Sequence, residues 1–363
     1  MTSELGIVDH LYEAAVVPEL WKEVLERLCG VIGVRAGALL TIDTSGGIRS
    51  IVTDAYQPAY QDYIDSGQRY PNVRPRRGLQ LHPHRFVPDV DVATQEEMDQ
   101  DPIYTQFLRP HGFGSTAGTA VLSPTGDTIV FDSAKLMAEG PLSRRETSRL
   151  DRYWSDFARA SLISQRLGLK AASAATEAMQ VIGLPAASVT AEGRVVSING
   201  MFEALSPRIL FGAFDRVSLA DRKADRLLSS ALAGLDATAV RSIPIPGDHG
   251  LPALVAHVVP IRRAAHDIFT RSAALLAVTP IVPPEAPLAE LLTGLFDLTT
   301  AEARIARGIA SGMSVEAMAA QTSLSRETIR TQLKAVMAKT GTDRQADLAL
   351  LLSSARPIPG APG

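Results

Sequence analysis

Arg330, Thr331 and Lys334 fall within little more than one helical turn of the stretch "SRETIRTQLKAVMAKTGTDRQADL", residues 325–348. A guanidinium, a hydroxyl carrying a methyl and an ammonium so spaced are groups that can read a nucleic-acid groove. Arginine can donate two hydrogen bonds to guanine, a threonine methyl can rest against thymine, and a lysine one turn on can reach a base or a phosphate. Ser325 is a helix-capping residue type, and Ile329, Leu333, Val336 and Met337 recur behind it at helical spacing. The cations therefore lie opposite an apolar stripe. Arg326 and Arg344 are placed for phosphates. Over residues 325–344, Arg326, Arg330, Lys334, Lys339 and Arg344 stand against Glu327 and Asp343, a local net of +3 in a chain whose net charge is −3. Nucleic-acid chemistry must then be local to this stretch. The plain alternative is a solvated helix face.

The rest of the chain offers weaker chemistry. Tyr56 and Tyr60, with Trp21, Tyr63 and Tyr70, are aromatic walls of the kind that line apolar pockets. In "YTQFLRPHG", residues 104–112, Arg109 and His111 stand beside a turn as a lid or pocket anchor. His82 and His84 have the spacing of metal ligands along an extended strand, but no third ligand accompanies them and no metal is expected. His257 lies in a strand pattern and His249 and His266 in loops, an arrangement of core or surface histidines rather than haem ligands. No cofactor is expected. Neither a phosphate-binding "GxxxxGK[ST]" loop nor a "GxSxG" elbow is present. Ser123 and Ser133 stand without a base, so an enzyme is not expected.

These groups need elements to hold them. The 363 residues are enough for two or three domains, and a 46% hydrophobic fraction can fill their cores. The single cysteine, Cys29, excludes an internal disulfide framework and fits a reducing cytoplasm. The N-terminus is interrupted by Asp9, His10, Glu13 and Glu19 and does not read as a signal peptide. No apolar run reaches the eighteen residues of a membrane span.

Residues 1–140 open with a helical pattern over Leu11, Ala14, Trp21, Val24, Leu25 and Leu28. Apolar runs around "DTSGG" and around "SPTGD" then read as strand pairs, separated by a Pro- and Arg-rich loop region, "RYPNVRPRRGLQLHPHRFVPD". Residues 141–180 read as a connecting long helix, begun by the capping-box spacing of Ser143 and Glu146 and suited to coupling or dimerisation. Residues 181–280 read as two strands, a helical middle and three strands, a five-stranded sheet with helices on one face. The four prolines of "TPIVPPEAP" mark a linker, taken as residues 281–290. Residues 291–352 are helical throughout, and 353–363 are expected to be a disordered tail. The whole is expected to be multidomain α+β, with two antiparallel-sheet sensor-like domains and an all-α tetrahelical domain.

In the last block Thr299 and Glu302 form a second capping-box spacing, Gly312 stops that helix, and Ser314 caps the next. A tight turn at Ser323 and Leu324 leads to the helix with the cations, which Gly341 ends. Two short helices joined this way have helix-turn-helix geometry. Residues 298–348 resemble the LuxR-type (GerE-type) helix-turn-helix, through Leu298, Thr299, Glu302, Gly312, Met318, Ala319, Ser325, Thr328, Ile329, Arg330, Leu333, Lys339, Gly341 and Arg344. Ala301, Gln332, Thr340 and Asp343 depart from the residues usual in that family. The resemblance implies a DNA-contacting set of Arg326, Thr328, Arg330, Thr331, Lys334, Lys339 and Arg344. It also implies a homodimer built through the fourth helix.

The middle block resembles a PAS domain through "EGRVVSIN" and Asn199, and the first block resembles a GAF-like or autoinducer-binding-like sensor. These resemblances imply a cytoplasmic, sequence-specific transcription regulator. Its expected partners are double-stranded DNA, a second copy of the chain, a small-molecule effector and RNA polymerase, with no membrane. The alternative is a sensor or interaction scaffold whose helix-turn-helix no longer binds DNA.

Overall fold

A computed structural model describes residues 4–44, 46–65, 74–212, 215–235, 239–248, 250–261, 268–282 and 286–354. The chain divides into two units, Met1–Ser173 with Ile261–Ala273, and Ala174–Pro260 with Ala274–Gly363. The two five-stranded sheets and one two-stranded sheet are antiparallel with helices interspersed, a mixed α and β architecture. No helix among the described residues is long and apolar enough to cross a membrane.

In the first unit, helices α1 (Glu4–Val16) and α2 (Trp21–Val31) precede strands β1 (Ala36–Ile42) and β2 (Ile48–Val52). Helices α3 (Gln57–Asp65) and α4 (Arg74–Leu81), the short strand β3 (Val87–Pro88), α5 (Gln95–Gln100) and a π-helical turn over Ile103–Leu108 follow. Strands β4 (Phe113–Leu122) and β5 (Thr128–Leu136) complete a sheet of order β2-β1-β5-β4-β3. The two hairpin turns form where the sequence places them. Gly46 and Gly126 take φ of 84° and 83°, which L side chains rarely adopt, while Asp43 accepts the Gly47 amide at 2.9 Å.

Strand periodicity sends alternate residues to opposite faces. Leu39, Ile129 and Phe131 pack with Trp21, Leu25, Leu28 and Phe157 on one face. Ala36, Ala38 and Ala134 pack with Tyr56, Met98, Tyr104, Phe107 and Phe113 on the other. The sheet thus lies between two helical layers. Residues 268–273 belong to this unit as well. Ile268 and Phe269 are 3% and 2% exposed, the Phe269 ring lies 5.0 Å from that of Trp21, and Arg49 holds the Ile268 carbonyl at 2.9 Å.

Two expectations for this unit are corrected. The Pro- and Arg-rich stretch is not loop throughout, because Arg74–Leu81 is the helix α4 and packs on β4. Tyr70 lies outside the described residues. The connecting helix is not continuous from 143. Ser143 and Glu146 do form a capping box, but it starts the short α6 (Arg144–Thr147). A 3₁₀ turn over Asp151–Tyr153 then re-aims the chain into the 28-residue α7 (Trp154–Val181).

In the second unit, β6 (Ala186–Val189) and β7 (Val195–Ile198) lead to α8 (Gly200–Glu203), capped by the Asn199 side chain. A small hairpin of β8 (Ile209–Phe211) and β9 (Val217–Leu219), α9 (Arg222–Ala233), and strands β10 (Arg241–Ile245), β11 (Leu254–Pro260) and β12 (Ala274–Pro280) follow. The sheet order is β10-β11-β12-β6-β7, the five strands expected. The hairpin of β8 and β9 was not legible in the pattern. Between β11 and β12, Ile268 and Phe269 contribute to the first unit's core.

The C-terminal helices are α10 (Ala289–Phe296), α11 (Thr300–Ala310), α12 (Val315–Thr322), α13 (Arg326–Thr340) and α14 (Gln345–Ser354). They share one core around Leu292, Ile305, Ile309, Met318, Ile329, Val336 and Leu348. α10 is a fifth helix beyond the four expected and begins within the stretch read as linker. The tail beyond Ser354 lies outside the described residues.

Candidate functional site

The sharpest motif lies on α13. Ser325 accepts the Thr328 amide at 3.0 Å, and Ser323, at φ 57°, closes α12 in the left-handed region, so a short turn links the two helices. Burial of Ile329, Leu333 and Val336 fixes how α13 rolls on the core. The opposite side then presents Arg326, Arg330, Thr331 and Lys334, all exposed, with the Arg330 side chain 63% exposed. The Thr331 hydroxyl donates to the Glu327 carbonyl at 3.0 Å. Arg344 is exposed at the start of α14.

Two other residues of the expected DNA-contacting set have work inside the domain. The Thr328 hydroxyl pairs with that of Ser325 at 2.9 Å, reinforcing the cap. The Lys339 ammonium donates to the Asp297 carbonyl at 2.8 Å and to the Glu302 carboxylate at 2.7 Å. It therefore ties the end of α13 to the start of α11. Its hydrogen bond, and then that of the Thr299 amide, hold the Glu302 carboxyl down at about 2.

The four ligand-facing expectations in the first unit divide. Tyr56 is buried and meets Phe113 edge-on at 5.1 Å, with Tyr60 beside it at 6.5 Å, so both belong to the aromatic layer on one sheet face. Burial pushes both phenols up. Trp21 is on the opposite face of the sheet. None of Tyr56, Tyr60, Arg109 and His111 is among the residues that line the cavity on this side of the sheet. Arg109 pairs with Asp99 at the surface, and His111 bonds the Phe107 carbonyl at 2.7 Å and Asp62 at 3.0 Å. The Phe107 carbonyl, then Asp62, raise the His111 pKa. Both side chains tie these turns to neighbouring helices, Arg109 through Asp99 of α5 and His111 through Asp62 of α3.

The cavity itself is built by residues that pattern reading passed over. Leu40, Val87, Val92 and Val130 give it apolar walls. Arg74 and Gly78 of α4 form one side, with Asp89 and Asp132 at the polar corner. Asp132 on β5 is paired in register with Ala38 on one side and Gly118 on the other. Asp89 is 2% exposed and accepts from the Thr116 amide at 2.7 Å, the Val90 amide at 2.9 Å, the Ser115 hydroxyl at 3.1 Å and the Tyr104 hydroxyl at 3.2 Å. The Arg74 guanidinium donates to the Thr116 hydroxyl, lies 5.4 Å from the Tyr104 ring centre, and approaches Asp132 only to 3.9 Å. One signal in the sequence marked this corner, an aspartate amid the apolar strand "TIVFDSA".

The histidines show no ligand set. His257 bonds the hydroxyls of Ser242 and Thr279 at 2.9 and 3.0 Å, and His84 stacks edge-on against Trp154 at 4.6 Å. Among the described residues no cluster of three or more His, Cys, Asp or Glu side chains could hold a metal ion. His249 and His266 lie outside the described residues.

No protein-family model and no curated protein sequence matches the chain. Among solved structures, the N-acylhomoserine lactone dependent LuxR family transcription factor CepR2 from Burkholderia cenocepacia aligns with 45% of this chain and 97% of its own, at 16% identity and a TM-score of 0.34. Escherichia coli SdiA aligns with 93% of this chain and 90% of its own, at 10% identity and a TM-score of 0.29. The Vibrio cholera VqmA–ligand–DNA complex covers 51% of this chain and 90% of that one, at 11% identity and a TM-score of 0.19.

Proposed function

We propose that the chain is a sequence-specific DNA-binding transcription regulator, controlled by a small effector in the cavity of the first unit. The observation that carries the reading is the face of α13. Arg326, Arg330, Thr331 and Lys334 are exposed together on the first turns of a capped helix whose other face is buried by Ile329, Leu333 and Val336. A helix so held can enter a major groove by its N-terminal half. Arg330 and Thr331 would read base edges, and Lys334, Arg326 and Arg344 would neutralise phosphates. Thr328 and Lys339 support the helix from within the domain. On this reading the partners are double-stranded DNA, a second copy of the chain, the effector and RNA polymerase. The effector acts by binding one state of the protein better than another.

The test is selection of genomic fragments by the full-length chain, beside Arg330→Ala/Lys334→Ala. The wild type is expected to enrich a two-fold related motif that the variant does not. Its affinity should fall steeply with salt, and the variant's log–log salt slope should be shallower by about 1–2. Equal, salt-insensitive binding by both proteins would overturn the assignment and leave α13 as a solvated face in an interaction module.

A further inference from the structure

We infer that the effector is a small organic cation, an apolar body bearing a protonated amine or amidine that seats on Asp132. This rests on the cavity of the first unit being the effector site.

Charge at the polar corner sets the chemistry of the ligand. The polar corner holds two carboxylates, Asp89 and Asp132, and one guanidinium, Arg74. Asp89 is satisfied by backbone amides and hydroxyls around it and serves to pin the start of β4. Arg74 stands 3.9 Å from Asp132, beyond hydrogen-bond reach. Among the described residues the corner therefore carries one negative charge in excess when both carboxyls are ionised, and the Asp132 side chain, only 20% exposed, is favoured by an arriving cation. A ligand that brings a positive charge removes the imbalance. A carboxylate ligand doubles it.

The sheet also keeps Asp132 open to such a partner. Its register neighbours are Ala38 and Gly118, the two smallest choices for flanking positions on that face. At Gly118 a Cβ would sit 2.4 Å from the Phe131 carbonyl oxygen and 3.5 Å from Asp132 Oδ1. The strands thus leave the carboxylate uncovered on both sides, at the end of a cavity whose walls are aliphatic. Burial pushes the Asp132 carboxyl up and Arg74 offsets part of that, so a bound cation would favour its ionised form. An arriving ammonium supplies N–H donors as well as charge, and charge-assisted hydrogen bonds are about twice as strong as neutral ones.

The experiment uses the full-length chain and three probes of one skeleton, 4-phenylbutylamine, 4-phenylbutanol and 4-phenylbutyrate. Affinities are read by calorimetry near pH 7, where the amine is protonated, as a lysine is. The amine should bind at least about tenfold more tightly than the alcohol, and the carboxylate not measurably. Asp132→Asn should bring amine and alcohol to within about twofold of each other. The wild-type ranking is itself decisive should that variant fail to fold. If the alcohol or the carboxylate binds as well as the amine, and Ala120→Phe in the cavity wall blocks it, the cavity stands and the cation inference falls. If no probe binds, or Ala120→Phe changes nothing, the cavity is not the effector site and both readings fall together.

Discussion

Phe269→Ala tests whether residues 268–273 are part of the first unit's core. The side chain is 2% exposed and its ring packs 5.0 Å from that of Trp21, itself fully buried and held by a hydrogen bond to Ser164 Oγ at 3.1 Å. Truncating a buried phenylalanine costs about 3–5 kcal/mol, the transfer of the lost ring plus the cavity it leaves. The position favours the upper half of that range, because Trp21 is pinned by its indole N–H and cannot relax into the space. Both tryptophans, Trp21 and Trp154, belong to this unit, so indole fluorescence follows its unfolding and not that of the other. With a urea slope of about 2.5 kcal/mol/M, a loss of about 4 kcal/mol lowers the midpoint by roughly 1.5 M. Phe202→Ala is the control, since it removes the same ring at 1% exposure from a core that contains no tryptophan. A fluorescence midpoint moved by less than about 0.3 M in Phe269→Ala would refute the docking of this segment.

Two further substitutions probe ionic contacts. Asp127 is fully buried and accepts from both arms of the Arg271 guanidinium and from Gln165 at 2.8 Å, so Asp127→Ala should cost about 3 kcal/mol in the same urea assay. The lower end of the usual range applies because the Arg271 side chain is 23% exposed, and an unchanged midpoint would sink the idea that this pair anchors the segment. In the C-terminal helices, the Glu302 carboxyl is held at about 2, below its ordinary value of about 4.3. A depressed carboxyl stabilises the fold above its unfolded pKa and ceases to do so as pH falls through its folded one. Wild type and Glu302→Gln should therefore differ in helix stability by circular dichroism above about pH 5 and converge toward pH 2, whereas a constant gap would show that the Lys339 contact is not the cause.

What could be read from the sequence was what neighbouring residues decide among themselves. Ser143 with Glu146, Thr299 with Glu302, and Ser314, Ser325 and Asn199 cap helices through contacts three residues long, and all five appear. The runs around "DTSGG" and "SPTGD" pair across their own turns. The helix α4 was hidden because "RPRRGLQL" carries a proline and a glycine and little apolar character, and packing against β4 overrides that poor propensity.

The same distinction explains why the cations of α13 announced themselves and the cavity did not. A capped amphipathic helix brings Arg330 and Lys334 onto one face through local geometry alone, so their spacing along the chain is their spacing in space. Arg109 and His111 were drawn to a pocket by sequence, yet carboxylates within reach of their own turns, Asp99 and Asp62, hold them at the surface. Arg74 and Asp132 meet only because a helix from one part of the chain lies over a strand from another, and Asp127 and Arg271 are 144 residues apart. Charges joined over such distances are invisible to spacing rules. They still leave a trace that spacing rules ignore, because a charged residue in an apolar strand, as Asp132 is in "TIVFDSA", must find compensation somewhere. Here the fold supplies part of it through Arg74 at 3.9 Å, and the proposed cation would supply the rest.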